Sequence, residues 1–217
     1  LWKTDSPSIL KSQRITNHDY SRWLLAQQKQ RNPISLQELR TINNRLFSND
    51  VQLRNPEDLN IEVRKTIPLE TSEKLVAFCK SERVSVANAM ATIWGMLISK
   101  LSDSNNILFG TVKSGRNCPV PQIENQVGMF IHTSPTYLMI DENQTFIHLI
   151  HELESFNRNS DYIDTRKLKK AVGFGVNQEL YETIFIVDNY PEPNQMDHIK
   201  DIEANEQSNY PLSLSVA

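Results

Sequence analysis

The sequence predicts a mixed α/β domain built around a mixed β-sheet. Two observations support this fold class: apolar residues recur with both strand and helix periods, and the strands arrive in adjacent groups separated by pairs of helices. A doubly wound parallel sheet would alternate strand and helix throughout. A nucleotide-binding fold is disfavoured, because no glycine-rich turn leads from a strand into a helix.

The first group is a strand followed by two helices. Residues 61–69 alternate apolar and polar side chains, which predicts a strand. Thr71 is the predicted N-cap of the first helix, and Ser85 is that of the second, which runs to Leu101. Apolar residues cover most of the second helix, so we expect it to be buried on more than one side.

The remaining elements follow in the order strand, strand, helix, helix and three strands. Pro135 should place its strand at a sheet edge or create a bulge, and Gly173 should close the basic helix before it. The predicted bounds are 107–112 and 127–140 for the strands, 145–156 and 161–172 for the helices, and 183–187, 199–204 and 210–216 for the last strands. Upstream, helices are expected from residue 17 or 19 to about 30 and over 35–47, and 48–60 is the best linker candidate.

Composition excludes several functional classes. The 217 residues include 23 Lys and Arg against 26 Asp and Glu, and 39% are apolar, so the chain is neither disordered nor strongly charged. A net charge of -3 gives no electrostatic reason to bind nucleic acid or an anionic membrane. Cys79 and Cys118 do not form a disulfide framework, which favours a reducing cytoplasm. The chain begins at Leu1 and ends in an alternating run over 212–217, so we expect a piece of a longer protein.

Histidines are the first candidates for chemistry. His148 and His151 share a helix face beside Glu152, but a metal site needs further ligands, so a solvated helix surface is the favoured interpretation. His132 lies inside a predicted strand, where a neutral, hydrogen-bonded sheet histidine is favoured over a functional one.

Other polar groups give weaker signals. Arg116 follows Ser114-Gly115 and could present a guanidinium to an anion, although a solvated arginine after a strand-end glycine is favoured. A reactive thiolate at Cys118 is weakly supported, because Arg116 is its one adjacent cation. The basic run 166–170 would suit an acidic partner or simply a solvated helix face. Carboxylate pairs occur at Asp141-Glu142 and at Asp161 and Asp164, but these residues alone define no catalytic set.

Five segments, in this order, resemble motifs of the condensation domains of non-ribosomal peptide synthetases. Residues 17–24 resemble Tyr-x-Asp-Tyr-x-x-Trp-Leu, and 107–116 are similar to a strand ending in Gly-Thr-x-x-x-Gly-Arg. Residues 127–133 are similar to Ile/Val-Gly-x-Phe-Val-Asn-Thr, with His132 where Asn is usual. The strand 180–191, which ends in Asn-Tyr-Pro, and the strand entry 206–212 complete the series.

The resemblance implies one lobe of a chloramphenicol-acetyltransferase-like α/β sandwich. In the family two such lobes form a V around a tunnel, and carrier proteins deliver phosphopantetheine-tethered acyl groups from opposite faces. The family's catalytic motif, His-His-x-x-x-Asp-Gly, lies in the N-terminal lobe and does not occur here. We therefore expect residues 1–60 to connect the lobes and 61–217 to form a C-terminal lobe truncated at its end. No amide formation is expected of this chain alone.

The resemblance also implies the site and the partners. Tunnel-lining candidates are Gly128, Phe130, His132, Thr133, Asn189 and Tyr190; carrier-docking candidates are Arg116, Arg166, Lys167, Lys169 and Lys170. No catalytic residue, metal or directly bound cofactor is expected, since phosphopantetheine arrives on carrier proteins. The other expected partners are the missing N-terminal lobe and, through the exposed inter-lobe face, a second copy of the chain. An epimerisation or cyclisation relative of the same fold, and a non-catalytic carrier-docking module, remain alternatives.

Overall fold

A computed structural model describes residues 17–30, 42, 46, 61–171, 173–175, 179–188 and 208–217. The helices are α1 (Asn17–Gln30), α2 (Leu69–Glu82), α3 (Val86–Ser102), α4 (Phe146–Ser160) and α5 (Thr165–Ala171), with a short 3-10 turn at Ile123–Asn125. The strands are β1 (Asn106–Lys113), β2 (His132–Met139), β3 (Thr183–Val187) and β4 (Leu212–Val216).

The four strands form one sheet in the order β2-β1-β3-β4. β1 and β2 are antiparallel, whereas β1 pairs with β3 and β3 pairs with β4 in parallel, so the predicted mixed sheet is confirmed. Pro135 lies on β2, opposite Gly110 of β1. β2 is an edge strand of the sheet that the described strands form. This agrees with the prediction from sequence, because proline has no backbone N–H to donate to a second neighbouring strand.

Side-chain caps fix where two of the helices begin. The Ser85 hydroxyl accepts a hydrogen bond from the backbone N–H of Asn88 at 3.0 Å, as predicted for the start of α3. The Thr145 hydroxyl likewise accepts a hydrogen bond from the backbone N–H of His148 at the start of α4. α3 ends at Ser102, and the C-cap residue Asp103 has a left-handed backbone whose N–H donates to the carbonyl of Ser99.

Helices cover both faces of the sheet. On one face, α3 and α4 pack on the strands through a buried cluster that includes Trp94, Ile98, Phe109 and Leu153. On the other face, Leu168 of α5 joins a second cluster with Leu108, Leu180, Tyr181 and Ile184. The sheet is therefore the middle layer of a sandwich.

A polar chain fastens α4 to the sheet through this core. The hydroxyls of Thr111 on β1 and Thr136 on β2 lie 2.7 Å apart, and that of Thr136 donates to Asn157 Oδ1 at 3.0 Å. All three residues are buried. Each polar group thus has a partner in a region where an unpaired one would be costly.

Four sequence predictions were wrong, the first being the start of α5, which lies at Thr165 rather than at 161. Residues 61–68 form no strand: they lie exposed, with Ile61 and Val63 more than 80% accessible, and none of the described strands pairs with them. α2 begins two residues before the predicted cap Thr71, at Leu69, because Pro68 is the N-cap and its backbone is suited to helix entry. β2 begins at His132 rather than at 127. The predicted strand 199–204 and nearly all of the predicted helix 35–47 lie outside the described residues.

α3 is buried on two sides but not on a third. Ala91 and Trp94 face the sheet, and Ala89 faces a cluster shared with α2 and α4. Ile93, Leu97 and Leu101 lie along the remaining side and are exposed. No single described helix has the length and apolarity needed to cross a bilayer; α2 and α3 meet those criteria only as a pair, which bends by 111°.

Candidate functional site

The segment 127–131 leads into β2 and presents apolar side chains to solvent. Val127 is fully exposed, Met129 is 89% exposed and Ile131 is 63% exposed. Gly128 is also exposed, whereas Phe130 between them is buried. The segment therefore exposes three apolar side chains to solvent and buries one aromatic ring.

The ring of Phe130 anchors this segment. It packs edge-to-face against Tyr20 of α1, with ring centroids 5.0 Å apart, and the guanidinium carbon of Arg116 lies 4.6 Å from its centre. The same guanidinium donates a hydrogen bond to the carbonyl of Ile123. Arg116 is thus held internally by a cation–π contact and a backbone bond, which differs from the solvated arginine favoured from sequence.

The backbone of Phe130 touches the turn after β1. Gly115 has a left-handed φ of 69°, and a side chain there would place its Cβ 1.9 Å from the carbonyl oxygen of Phe130. Only glycine allows both the backbone conformation and this close approach. The predicted tight turn is therefore present, and it serves to seat segment 127–131.

His132 connects the segment to the corner between α4 and α5. Its Nδ1 lies 3.2 Å from the carbonyl oxygen of Phe130, and its Nε2 lies 2.9 Å from that of Asp161. The hydroxyl of Ser134 donates to the same Asp161 carbonyl at 2.8 Å. His132 is thus a hydrogen-bonded sheet histidine, as the sequence favoured, and both its ring nitrogens meet backbone carbonyls.

A polar cleft opens beside His132. Lys113, the ladder partner of His132 on β1, places its ammonium nitrogen 3.5 Å from the Asp161 carboxylate. The Tyr162 ring lies 5.5 Å from the imidazole, and its hydroxyl donates to the carbonyl of Asn117. The cleft has a volume of about 120 Å³ and is open to solvent. Its lining is Lys113, Ser114, Gly115, Asn117, His132, Asp161 and Tyr162.

Sequence reasoning did not identify Lys113, Asp161 and Tyr162 as neighbours of His132. Asp161 appeared there only as half of a carboxylate pair. These residues meet because β1 and β2 are antiparallel in this register and α4 ends over the start of β2. Lys113 had one usable signal, since it directly precedes the Ser114-Gly115 turn.

Thr133 faces the opposite side of the sheet. Its methyl group lies next to Gly110, beside the ring of Tyr181, which stacks on Tyr210 with centroids 5.7 Å apart. Burial is the largest cause that raises the pKa of both tyrosines above its usual value, most strongly at Tyr181. His132 and Thr133 therefore do not serve one surface, because successive strand residues point to opposite faces. Asn189 and Tyr190 lie outside the described residues.

The basic residues of α5 differ in their exposure and in their ion-pair partners. Lys169 is paired with Glu179 at 2.8 Å, and only 21% of its side chain is exposed. The Arg166 side chain is highly exposed and forms a local ion pair with Asp164. Lys167 and Lys170 are exposed. The helix thus presents a basic outer surface made by Arg166, Lys167 and Lys170.

The two α4 histidines lie apart from this region. His148 and His151 are exposed on α4, where each faces a glutamate one turn along, Glu152 and Glu154. Within the described ranges, no three metal-ligating side chains converge. Cys118 is half-buried and packs against the cluster formed by Tyr20, Val120, Ile123 and Phe130.

Comparison with known proteins identifies the family. The family model described as "Condensation domain" matches residues 11–217. The chain is 30% identical to a linear gramicidin synthase of Brevibacillus parabrevis over 154 residues, which is 67% of this chain and 2% of that protein. It is 27% identical to bacitracin synthase 3 of Bacillus licheniformis over 178 residues, or 76% of this chain and 3% of that protein.

Among solved structures, the chain is similar to the first condensation domain of the calcium-dependent antibiotic synthetase in complex with a substrate analogue. That match has 16% identity and a TM-score of 0.47, and it covers 58% of this chain and 28% of the other. The chain thus spans only a few per cent of the length of the synthetases that it matches. On the family match, which extends over nearly all of its length, this chain belongs to the condensation domains of non-ribosomal peptide synthetases.

Proposed function

We propose that this chain forms one wall of the corridor through which a phosphopantetheine arm reaches a condensation centre. The observation that carries the proposal is the anchored segment 127–131, which exposes Val127, Met129 and Ile131 around the buried Phe130. Large exposed apolar groups on a fixed backbone mark a surface that contacts something else. A thioester-bearing arm needs an extended, mostly apolar path with a few placed polar groups.

The surroundings of the segment supply such polar groups. The cleft that holds Lys113 and Ser114 lies at the His132 end of the segment. The two amides of a pantetheine arm require hydrogen-bond partners when they leave water. In this proposal the chain positions an acyl group for peptide-bond formation and contributes no proton transfer, and alignment of reactants can supply much of a catalysed rate.

We further propose that the outer surface of α5 docks the carrier protein. Arg166, Lys167 and Lys170 are available there, while Lys169 and Arg116 have internal partners. Carrier proteins are commonly acidic around the arm, so a basic helix would increase the rate of encounter.

A comparison of holo and apo carrier protein tests the corridor. Both forms are titrated into the ¹⁵N-labelled chain, and the shift differences between them report the arm alone. We expect those differences at 128–133, with free pantetheine reproducing them weakly. Differences absent from this segment would contradict the corridor, and shifts confined to α5 in both forms would leave a docking module without a tunnel role.

Charge reversal tests the docking surface. Lys167→Glu with Lys170→Glu should weaken carrier binding at low salt by about tenfold and flatten its salt dependence, because two attractive charges become repulsive. Lys80→Glu with Lys100→Glu, at two exposed lysines on α2 and α3, is the matched control. Equal losses in both variants would indicate a general charge effect and reject docking at α5.

The exposed apolar surfaces also predict a lobe partner. We infer that the chain packs against a second lobe of the same domain, and that without it the chain self-associates at millimolar concentration. Light scattering that shows a monomer at that concentration would contradict this inference.

A further inference from the structure

We propose that the polar cleft beside His132 binds an uncharged primary carboxamide of the acyl substrate, the group that ends a glutamine or asparagine side chain. The proposal rests on the corridor described above, since the substrate would reach the cleft along segment 127–131. The cleft has a volume of about 120 Å³ and is lined by His132, which follows that segment directly. This is the space of about four water molecules, which suits a group with the four heavy atoms of acetamide.

Opposite charges in the lining disfavour a charged occupant. The ammonium of Lys113 lies 3.5 Å from the carboxylate of Asp161, and each side chain is less than a third exposed. An anion would be attracted by Lys113 and repelled by Asp161, and a cation would meet the reverse. A neutral group that both donates and accepts hydrogen bonds can satisfy the two side chains at once.

This ion pair is the part of the lining that lacks hydrogen-bond partners. Both ring nitrogens of His132 lie within hydrogen-bond distance of backbone carbonyls, and the hydroxyl of Tyr162 donates to the carbonyl of Asn117. In contrast, Asp161 Oδ1 is buried and accepts no hydrogen bond from the described residues. A buried oxygen without a hydrogen bond is uncommon in native proteins, so this carboxylate calls for a further donor.

The spacing of the pair favours a primary amide over a secondary one. The oxygen and one N–H of a primary carboxamide point to the same side, so they can bind a donor and an acceptor that lie side by side, as asparagine binds the edge of adenine. Lys113 and Asp161 present such a donor and acceptor. In a trans secondary amide the oxygen and the N–H point in opposite directions. Each amide of the pantetheine arm could therefore bind one member of the pair at a time, whereas a carboxamide of the substrate binds both.

Small amides test the site by NMR on the ¹⁵N-labelled chain. Acetamide should shift the backbone amides of 113–115, 132 and 161–162. N-methylacetamide should bind about tenfold more weakly, because it keeps one hydrogen bond of two. Acetate and methylammonium should also bind more weakly than acetamide. Equal or tighter binding of N-methylacetamide, or no acetamide shifts at these residues, would overturn the proposal.

A lysine variant tests the pair itself. Lys113→Met keeps most of the side-chain length and removes the donor, so acetamide binding should fall about tenfold. Lys74→Met is the matched control, because it breaks an exposed ion pair of α2, that with Glu70 at 2.7 Å, and should leave binding unchanged. Unchanged binding in Lys113→Met, or equal losses in both variants, would reject the pair as the recognition site. Should Lys113→Met fail to fold, the comparison of amides on the unmodified chain still decides.

Pantetheine separates the failure of this proposal from that of the corridor. If pantetheine shifts 128–131 but acetamide does not bind in the cleft, the carboxamide site is rejected and the corridor stands. If acetamide binds in the cleft but pantetheine causes no shifts at 128–131, the cleft remains a carboxamide site and the corridor is contradicted.

Discussion

Substitution of Gly115 by alanine should release the anchored segment, at a cost that the structure allows us to estimate. The new Cβ would lie 1.9 Å from the carbonyl oxygen of Phe130, whereas ordinary contact begins at 3.4 Å, so the backbones must separate by about 1.5 Å. A left-handed alanine costs roughly 1–2 kcal/mol by itself. Displacement of Phe130 from its cluster adds part of the cost of losing a buried phenylalanine, so we expect about 3–5 kcal/mol in total.

Gly173 provides the matched control. Its φ of 84° is also left-handed, but a Cβ there meets nothing within 4 Å. Gly173→Ala should therefore cost only the backbone term, roughly 1–2 kcal/mol. Urea unfolding followed by tryptophan fluorescence measures both, since Trp23 packs on Tyr162 near the site. If Gly115→Ala costs no more than Gly173→Ala, the close approach to Phe130 does not hold the segment.

Three further predictions concern the core and its titrating groups. Thr136→Val should lower the free energy of unfolding by about 1–3 kcal/mol, because it breaks the buried polar chain. The control Thr71→Val, at an exposed position of α2, should change it by no more than about 0.5 kcal/mol. Equal urea midpoints for the two variants would contradict this. Burial raises the pKa of Tyr181 in the folded state, so stability should fall as the pH rises above about 10. Tyr181 contributes up to about 1.4 kcal/mol per pH unit, and Tyr210, whose pKa is also raised, adds to the slope. Tyr181→Phe should reduce the slope, and an unchanged slope would contradict this. Of the two thiols, half-buried Cys118 should react with a disulfide reagent in the native chain and buried Cys79 only on unfolding; equal rates would show that Cys79 is accessible.

The motif residues of β1 and of the turn after it illustrate what the sequence could establish. The Gly110-Thr111 and Gly115-Arg116 pairs were recognisable as parts of a family motif. What requires these residue types, however, is their contact with residues far away in the sequence. A side chain at Gly110 would lie 2.4 Å from the Tyr181 ring. Thr111 pairs with Thr136 across the ladder, and Arg116 covers Phe130. The motif is therefore explained by packing.

Local patterns predicted the elements whose signals are local. The Ser85 cap, a helix beginning close to Thr145 and the strand Thr183–Val187 appear as expected, because periodicity and hydroxyl caps act within a few residues. The strand predicted over 61–69 has the right alternation but lacks a paired neighbour in the described sheet, and alternation alone cannot supply one. The site depends on the register of β1 against β2, which no local pattern specifies.

Disulfide trapping tests the central claim most directly. Met129 and Met96 are both exposed methionines, one on the proposed corridor surface and one on α3. Each is changed to cysteine in a Cys118→Ser background and treated with holo carrier protein whose pantetheine thiol carries a 2-thiopyridyl group; free activated pantetheine corrects for intrinsic reactivity. We expect Met129→Cys to couple at least about tenfold faster than Met96→Cys, since the arm would be delivered to that surface. Equal corrected rates, or faster coupling at Met96→Cys, would contradict a phosphopantetheine corridor along segment 127–131.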